Sequence, residues 1–328
     1  MSFVVRVAPW IVTATPPQIA YAMLAVSNAR ATPKSSSTRF NAPEYTPAAR
    51  LCVAALLPCG SPMLAESLAA VTTARRVDDS RFVLDVPDGY QQGRGAFGGL
   101  TLAAIVRAVD AVHGGPERAV RTLTAELCGP VLVGPADITI EPLRLGSGTS
   151  TVAARITQDG ELRTHAVLVL GRDRARDAEH RGIDTPQLPD WRDLAAVPDG
   201  VLPPPFARHF EFRPNGHPPF AGASEARAAG FIRPRNPGPA RDAAYVTALA
   251  DAWWPALFPV MSAPRPMATI TFTLDLVSSP EGLETEAPYY HEAHTLVSHA
   301  GFAPELRTLW GHDGRLLAIN HQTFVVVA

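Results

Sequence analysis

Asp251 lies in a stretch that is otherwise apolar from Ala248 to Phe258, ALADAWWPALF. An unpaired carboxylate in such a run is costly, so it must face a wet cavity or hold hydrogen-bond partners. Thr247 precedes it by one turn on the same helical face. Pro255 cannot donate to the carbonyl of residue 251, so a helix over about 242–258 is expected to kink there and leave that carbonyl free. Carboxylate and freed carbonyl together describe a pocket able to hold a water. The alternative is an exposed Asp on an ordinary surface helix.

A second candidate is GRGAFG at 93–98, which matches the dinucleotide-binding pattern G-x-G-x-x-G. A strand-like RFVLDV (81–86) precedes it, a helix-like LTLAAIVRAVDAV (100–112) follows, and Glu117 lies about twenty residues on. Context argues against the match. PDGYQQ separates strand from glycines, where the fingerprint needs a tight turn, and no strand–helix–strand alternation follows. Gly98 and Gly99 instead open a helix that is apolar nearly all round, hence buried. First-turn N–H groups left open by glycine can hold a carbonyl oxygen or an oxyanion. The competing reading is that these glycines only permit close helix–sheet packing.

Other motifs fail on spacing. HEAH (291–294) lies in a strand pattern, where positions three apart point to opposite faces, so no metal site is expected. No G-x-S-x-G is present, which leaves a serine nucleophile elbow unsupported. Cys128, at a strand end, reads as a small buried residue, and Trp253 and Trp254 read as core or interface residues.

The elements that must position these residues form a repeated plan. Strands are expected at 120–127, 137–145, 149–158 and 161–170, with Asp-Gly at 159–160 suited to a type I′ hairpin. Residues 173–205 are charged and proline-rich and read as an interdomain linker. The plan then recurs: a strand-like segment at 208–214, the helix of Asp251, and strands at 267–276, 287–298, 302–311 and 314–327. TLTAEL (122–127) aligns with TITFTL (269–274), and QDGELRTHAVLVL aligns with HDGRLLAINHQTF. The chain therefore reads as a duplicated unit of one helix against an antiparallel sheet, an α+β class. The expected divisions are an N-terminal domain over 63–172, the linker, and a C-terminal domain over 206–328.

Composition excludes several function classes. A net charge of −2 advertises neither nucleic acid nor an anionic membrane as partner. The cysteines (Cys52, Cys59, Cys128) show no zinc spacing, and a reduced cytoplasmic setting is the expectation. No apolar run approaches the ~18–20 residues of a membrane span. Residues 1–62 differ, with Arg6, Arg30, Lys34, Arg39 and Arg50 against Glu44 alone, and read as a disordered extension or as sequence upstream of a start at Met63.

The order of motifs resembles the double-hotdog acyl-CoA thioesterases, a family of the bacterial type II thioesterase kind. The resemblance rests on AFGGLTLAAIVRAV, the stretch from CGPVLVGPADITI to TVAARITQDG, ADAWWPALF, MATITFTLDL and LLAINHQTFVVV, and it covers about residues 75–328 apart from the linker. It implies two tandem hotdog units, each a long helix wrapped by a curved antiparallel sheet. It also implies an acyl-CoA substrate, no metal or redox cofactor, and pairing of units that leaves a homo-oligomer open. The family's water-holding Asp, Thr and Gln fall on Asp251, Thr269 and Gln322, with Gly98 and Gly99 as substrate or oxyanion contacts. Residues around the Asp differ from the bacterial pattern. A non-catalytic acyl-CoA-binding protein is the main rival. An enoyl-CoA hydratase is disfavoured because no Asp-x-Asn-Pro-x-His-like motif is present. Counting eight residues from each hairpin glycine sets Gln322 against Leu168, and the sequence alignment sets Thr269 against Thr122. The first half thus lacks a full polar triad, and one constellation per chain is expected.

Overall fold

The computed structural model describes residues 66–174 and 180–326, within a compact unit, Glu66–Ala328. The expectations for residues 1–62, with Cys52, Cys59 and Met63, lie outside the described residues. In chain order come α1 (Leu68–Val71), β1 (Arg75–Arg76), β2 (Arg81–Val86), β3 (Gln91–Gln92), β4 (Gly95–Ala96) and α2 (Gly98–His113). Then follow β5 (Ala119–Leu127), β6 (Gly134–Leu145), β7 (Thr149–Gln158) and β8 (Glu161–Gly171). After a 3-10 turn at Pro205–His209 come β9 (Phe210–Pro214), β10 (Arg227–Pro234), α3 (Ala243–Asp251), β11 (Met267–Leu276), β12 (Tyr289–Thr295), β13 (Phe302–Trp310) and β14 (Leu316–Val326).

Twelve strands form one antiparallel sheet in the order β1-β2-β6-β7-β8-β5-β11-β14-β13-β12-β10-β9. Read from either edge, the strands come in the same relative chain order, so the internal duplication is visible in the topology. The halves meet where β5 pairs antiparallel with β11, Thr124 opposite Thr273. Alternation builds the sheet: β7 and β8 bury every second residue, Val152, Ala154 and Ile156 on one, Ala166, Leu168 and Leu170 on the other. Asp159 and Gly160, with φ of 55° and 78°, make the expected two-residue hairpin turn between them.

The register also corrects the sequence alignment of the halves. Against β8, β5 bulges between Val120 and Thr122; against β14, β11 bulges between Thr269 and Thr271. Matching bulge to bulge sets Thr269 against Val120, not Thr122. An extra residue of this kind moves every following side chain, and residue-type similarity alone cannot register it.

Helix α2 packs on β5 to β8 and against α3, which in turn packs on β13 and β14. Gly99 through Val106 are all buried, along with Ala108 and Val109. Asp242 caps α3 by accepting from the Tyr245 N–H at 2.9 Å. The helix ends at Asp251 rather than continuing with a kink to 258. Pro255 supplies no N–H to carbonyl 251 and restricts Trp254, so the chain leaves the helix about two turns earlier than its apolar pattern implies. Strand β10 had no counterpart in the sequence reading: RAAGFIRP is buried nearly throughout, so it shows no alternation, and Gly230 at φ 151° masks it further. Residues 180–204 hold no helix or strand, yet Leu188, Trp191 and Leu194 pack against a cluster of Ala229, Phe231, Tyr290, Trp310 and Leu316. Among the described residues, no helix is long and apolar enough to cross a membrane.

Candidate active site

Helices α2 and α3 run antiparallel, which brings the start of one to the end of the other. Arg107 of α2 reaches Asp242 at the start of α3 at 2.6 Å, while Gly99 meets Asp251 at its end. The Gly99 N–H donates to Asp251 Oδ2 at 2.6 Å. The crossing is tight: a Cβ on Gly99 would sit 2.8 Å from the Ala248 carbonyl oxygen, a backbone atom, and one on Gly98 2.9 Å from Asp251 Oδ2, the end of a side chain. The close-packing reading of the glycines is realised in the geometry, while the Gly99 N–H is taken up by Asp251 rather than left open.

Strands β11 and β14 bring the other two residues. Gln322 Nε2 donates to Asp251 Oδ1 at 3.1 Å and to Asn320 Oδ1 at 2.9 Å. Thr269 Oγ1 donates to Gln322 Oε1 at 3.2 Å. The amide orientation follows from its partners, since a flipped Gln322 would turn its oxygen toward a carboxylate. Asp251, Thr269, Gln322 and Gly99 therefore form one connected group. Gly98 lies beside it, and among the described residues its N–H meets no acceptor. Gln322 is fully buried and Thr269 half-buried, so the group opens outward on the Thr269 side.

Burial pushes the Asp251 carboxyl above the usual carboxylate range, against the opposing pull of the Arg307 guanidinium, the Gly99 N–H and the Gln322 amide. A raised carboxylate suits a base that must hold a proton briefly near neutral pH. Thr247, buried on the same helix, spends its hydroxyl on the Ala243 carbonyl at 2.7 Å and does not reach the group.

The first half holds no equivalent. Asp251 is the ninth residue of its helix, and the ninth residue of α2 is Val106. With the bulge and hairpin registers, the positions matching Asp251, Thr269 and Gln322 are Val106, Val120 and Leu168, all buried.

Sequence reasoning missed a buried set behind Asp251. Glu305 and Arg307 on β13 form an ion pair at 2.7 Å, both fully or almost fully buried. His291 on β12 is fully buried and stacks on Trp253 at 5.4 Å. Burial and then Arg307 hold its pKa well below the ordinary histidine value. One signal was available: in FAPELRTLW, Glu305 and Arg307 occupy the inward positions between Ala303 and Leu309. His294, three residues from His291, is exposed, so the two imidazoles do not converge. Cys128 is exposed, not buried as its type implied, because β5 ends at Leu127 and the chain turns outward there. Trp253 is core, and Trp254 packs partly buried against it.

Comparison with known proteins decides the family. Residues 86–171 match the acyl-CoA thioesterase N-terminal domain and residues 182–326 match the acyl-CoA thioesterase C-terminal domain. The chain belongs to the acyl-CoA thioesterase family. A hotdog-fold protein from Alicyclobacillus acidocaldarius superposes with a TM-score of 0.72 at 24% identity, over 80% of this chain and 98% of that one. A tesB protein of Mycobacterium avium subspecies paratuberculosis gives 0.66 at 18%, over 80% and 98%. An acyl-CoA thioesterase II from Mycobacterium marinum gives 0.62 at 14%, again over 80% and 98%. These likenesses establish the hotdog fold. No curated protein matches the sequence. Family membership in both halves supports thioesterase activity in general terms.

Proposed function

We propose that this protein hydrolyses an acyl-CoA thioester to a free carboxylic acid and CoA, with Asp251 as the base. In this reading residues 63–172 and 206–328 are two hotdog units, each a helix wrapped by half of the sheet, joined by 173–205. The observation that carries the proposal is the buried Asp251 carboxylate tied through Gln322 to Thr269. The directions of those bonds leave defined vacancies. Both Gln322 N–H bonds and the Thr269 proton are committed, while the Thr269 oxygen and the carboxylate keep lone pairs. A water placed among them donates one proton to Asp251 and the other to the Thr269 oxygen. Its own lone pair then points away from the protein, toward a thioester carbonyl.

As the water oxygen bonds to the carbonyl carbon, Asp251 takes its proton and the carbonyl oxygen becomes an oxyanion. In this scheme the Gly98 N–H, at the positive end of α2, receives that charge, a choice supported by the occupation of the Gly99 N–H by Asp251. The tetrahedral adduct then breaks its C–S bond. The proton held by Asp251 passes to the departing CoA sulfur, and the acid remains. No covalent enzyme intermediate is needed.

The test is thiol release from acyl-CoAs of increasing chain length by wild type and Asp251→Asn. The variant should bind acyl-CoA, seen as a thermal shift, yet lose turnover by at least ~10²-fold, the lower range for loss of a general base. Wild-type turnover by a folded D251N protein refutes the assignment. Binding without thiol release by the wild type would favour a non-catalytic acyl-CoA-binding protein.

A further inference from the structure

The end of α3 is held by a device that the reaction scheme above does not use. A helix C-terminus leaves carbonyls without intrahelical donors, and Pro255 removes one donor that would have continued the ladder. Arg307 reaches into this gap from β13. Its Nη1 donates to the carbonyls of Ala250 at 3.1 Å, Asp251 at 3.4 Å and Trp253 at 3.4 Å. Its Nε donates to Glu305 Oε1 at 2.7 Å. The other Glu305 oxygen accepts the Ala256 N–H at 2.7 Å and the Thr295 hydroxyl at 3.1 Å. The pair therefore grips the chain on both sides of Pro255, carbonyls before it and an N–H after it.

Burying an ion pair in a core is seldom favourable for stability alone, since apolar residues of the same size pack as well or better. The placement beside Asp251 supplies a reason for it. We infer that Arg307, locked by Glu305, is the positioning residue for Asp251, fixing the backbone of the helix end from which its carboxylate projects. This inference rests on the reading of Asp251 as the base.

The groups around that carboxylate can be named element by element. From α2 comes the Gly99 N–H, from β14 the uncharged Gln322 and Asn320, and from β11 Thr269. From β12 comes His291, which the same burial keeps neutral, and from β13 Arg307 with Glu305. Among the described residues, Arg307 is thus the positive side chain opposing the cost of burying Asp251.

The experiment compares pH profiles of kcat/KM for wild type, R307K, R307Q and E305Q/R307Q, the double variant leaving no unpaired charge at Glu305. The substrate is the acyl-CoA hydrolysed fastest in a panel from acetyl- to palmitoyl-CoA. Loss of the positive charge raises the Asp251 pKa, so the acid limb should move up by about one pH unit, a loss of about tenfold in kcat/KM on that limb. R307K keeps the charge but not the planar fork, so it should retain the wild-type limb with a lower plateau. A folded double variant with the wild-type limb, or a lowered Tm with no movement of the limb, overturns the inference. An acid limb in R307K displaced as far as in R307Q overturns it too. D251N run in parallel separates the two readings. If D251N is active, the base itself is misassigned; if it is inactive and the limbs coincide, only the role of Arg307 fails.

Discussion

Replacing Gly99 by alanine would place a Cβ 2.5 Å from Phe97 Cε2, 2.8 Å from the Ala248 carbonyl oxygen and 3.1 Å from Asp251 Cβ. The Phe97 ring is fully buried and stacked on Phe206 at 4.6 Å, and the Ala248 carbonyl belongs to a helix, so neither yields easily. Overpacking of this kind costs about 1–3 kcal/mol, against which the helix gains up to about 1 kcal/mol from losing a glycine. The net expectation is a destabilisation of about 1–2 kcal/mol, or about 2–8 °C in Tm for a unit of this size. Gly98 offers the contrast. Its Cβ would meet Asp251 Oδ2 at 2.9 Å and Leu127 Cδ2 at 3.1 Å, both ends of side chains that can move. G98A should therefore unfold near the wild-type temperature, while the displaced carboxylate lowers kcat/KM by ~10²-fold, the usual penalty for a misplacement of about 1 Å. Thermal unfolding and thiol release on the two variants check both halves. A G98A protein with full activity, or a G99A protein with unchanged Tm, would show that the helix crossing does not set the carboxylate's position.

Two further outcomes follow from the same geometry. Q322L installs the residue that the first half carries at Leu168 and strips Asp251, Thr269 and Asn320 of a shared partner. Its turnover should fall by ~10²-fold while acyl-CoA still raises Tm, and undiminished turnover would remove Gln322 from the water site. Asp251 also makes stability depend on pH. Its folded pKa lies above the ordinary value near 3.9, so folding penalises the ionised form; the native state is favoured most below the unfolded pKa, and that advantage is lost as pH rises through the folded pKa. Thermal unfolding of D251N relative to wild type should therefore improve from pH 4 to pH 8, and a difference that stays flat would mean that the carboxyl is not raised.

How much of this was legible beforehand depends on what each residue advertises. Asp251 stands out because a carboxylate in an apolar helix demands partners, and the glycines stand out because they open a helix that is apolar on every side. Thr269 and Gln322 advertise nothing; hydroxyls and amides are ordinary in strands, and only the family resemblance singled them out. The structure links Gly99, Asp251, Gln322 and Thr269 in one chain of hydrogen bonds, with Gly98 beside it. The repeat was legible as a rhythm of strands, but its register was not, because a bulge in β5 and another in β11 shift the match from Thr122 to Val120.

The buried ion pair shows why the remainder escaped. Glu305 and Arg307 sit two apart on a strand whose two faces both look mixed in sequence, and the inward face is revealed only by Ala303 and Leu309 on either side. Their purpose depends on Pro255, about fifty residues away, which removes a helical donor and creates the need that Arg307 meets. The same proline that flagged Asp251 as unusual ends the helix there and leaves its carbonyls to be held from another strand. The duplicated frame is common to both halves. What distinguishes the second half is a proline that opens a helix end, an ion pair that holds it, and three polar residues where the other half has Val106, Val120 and Leu168.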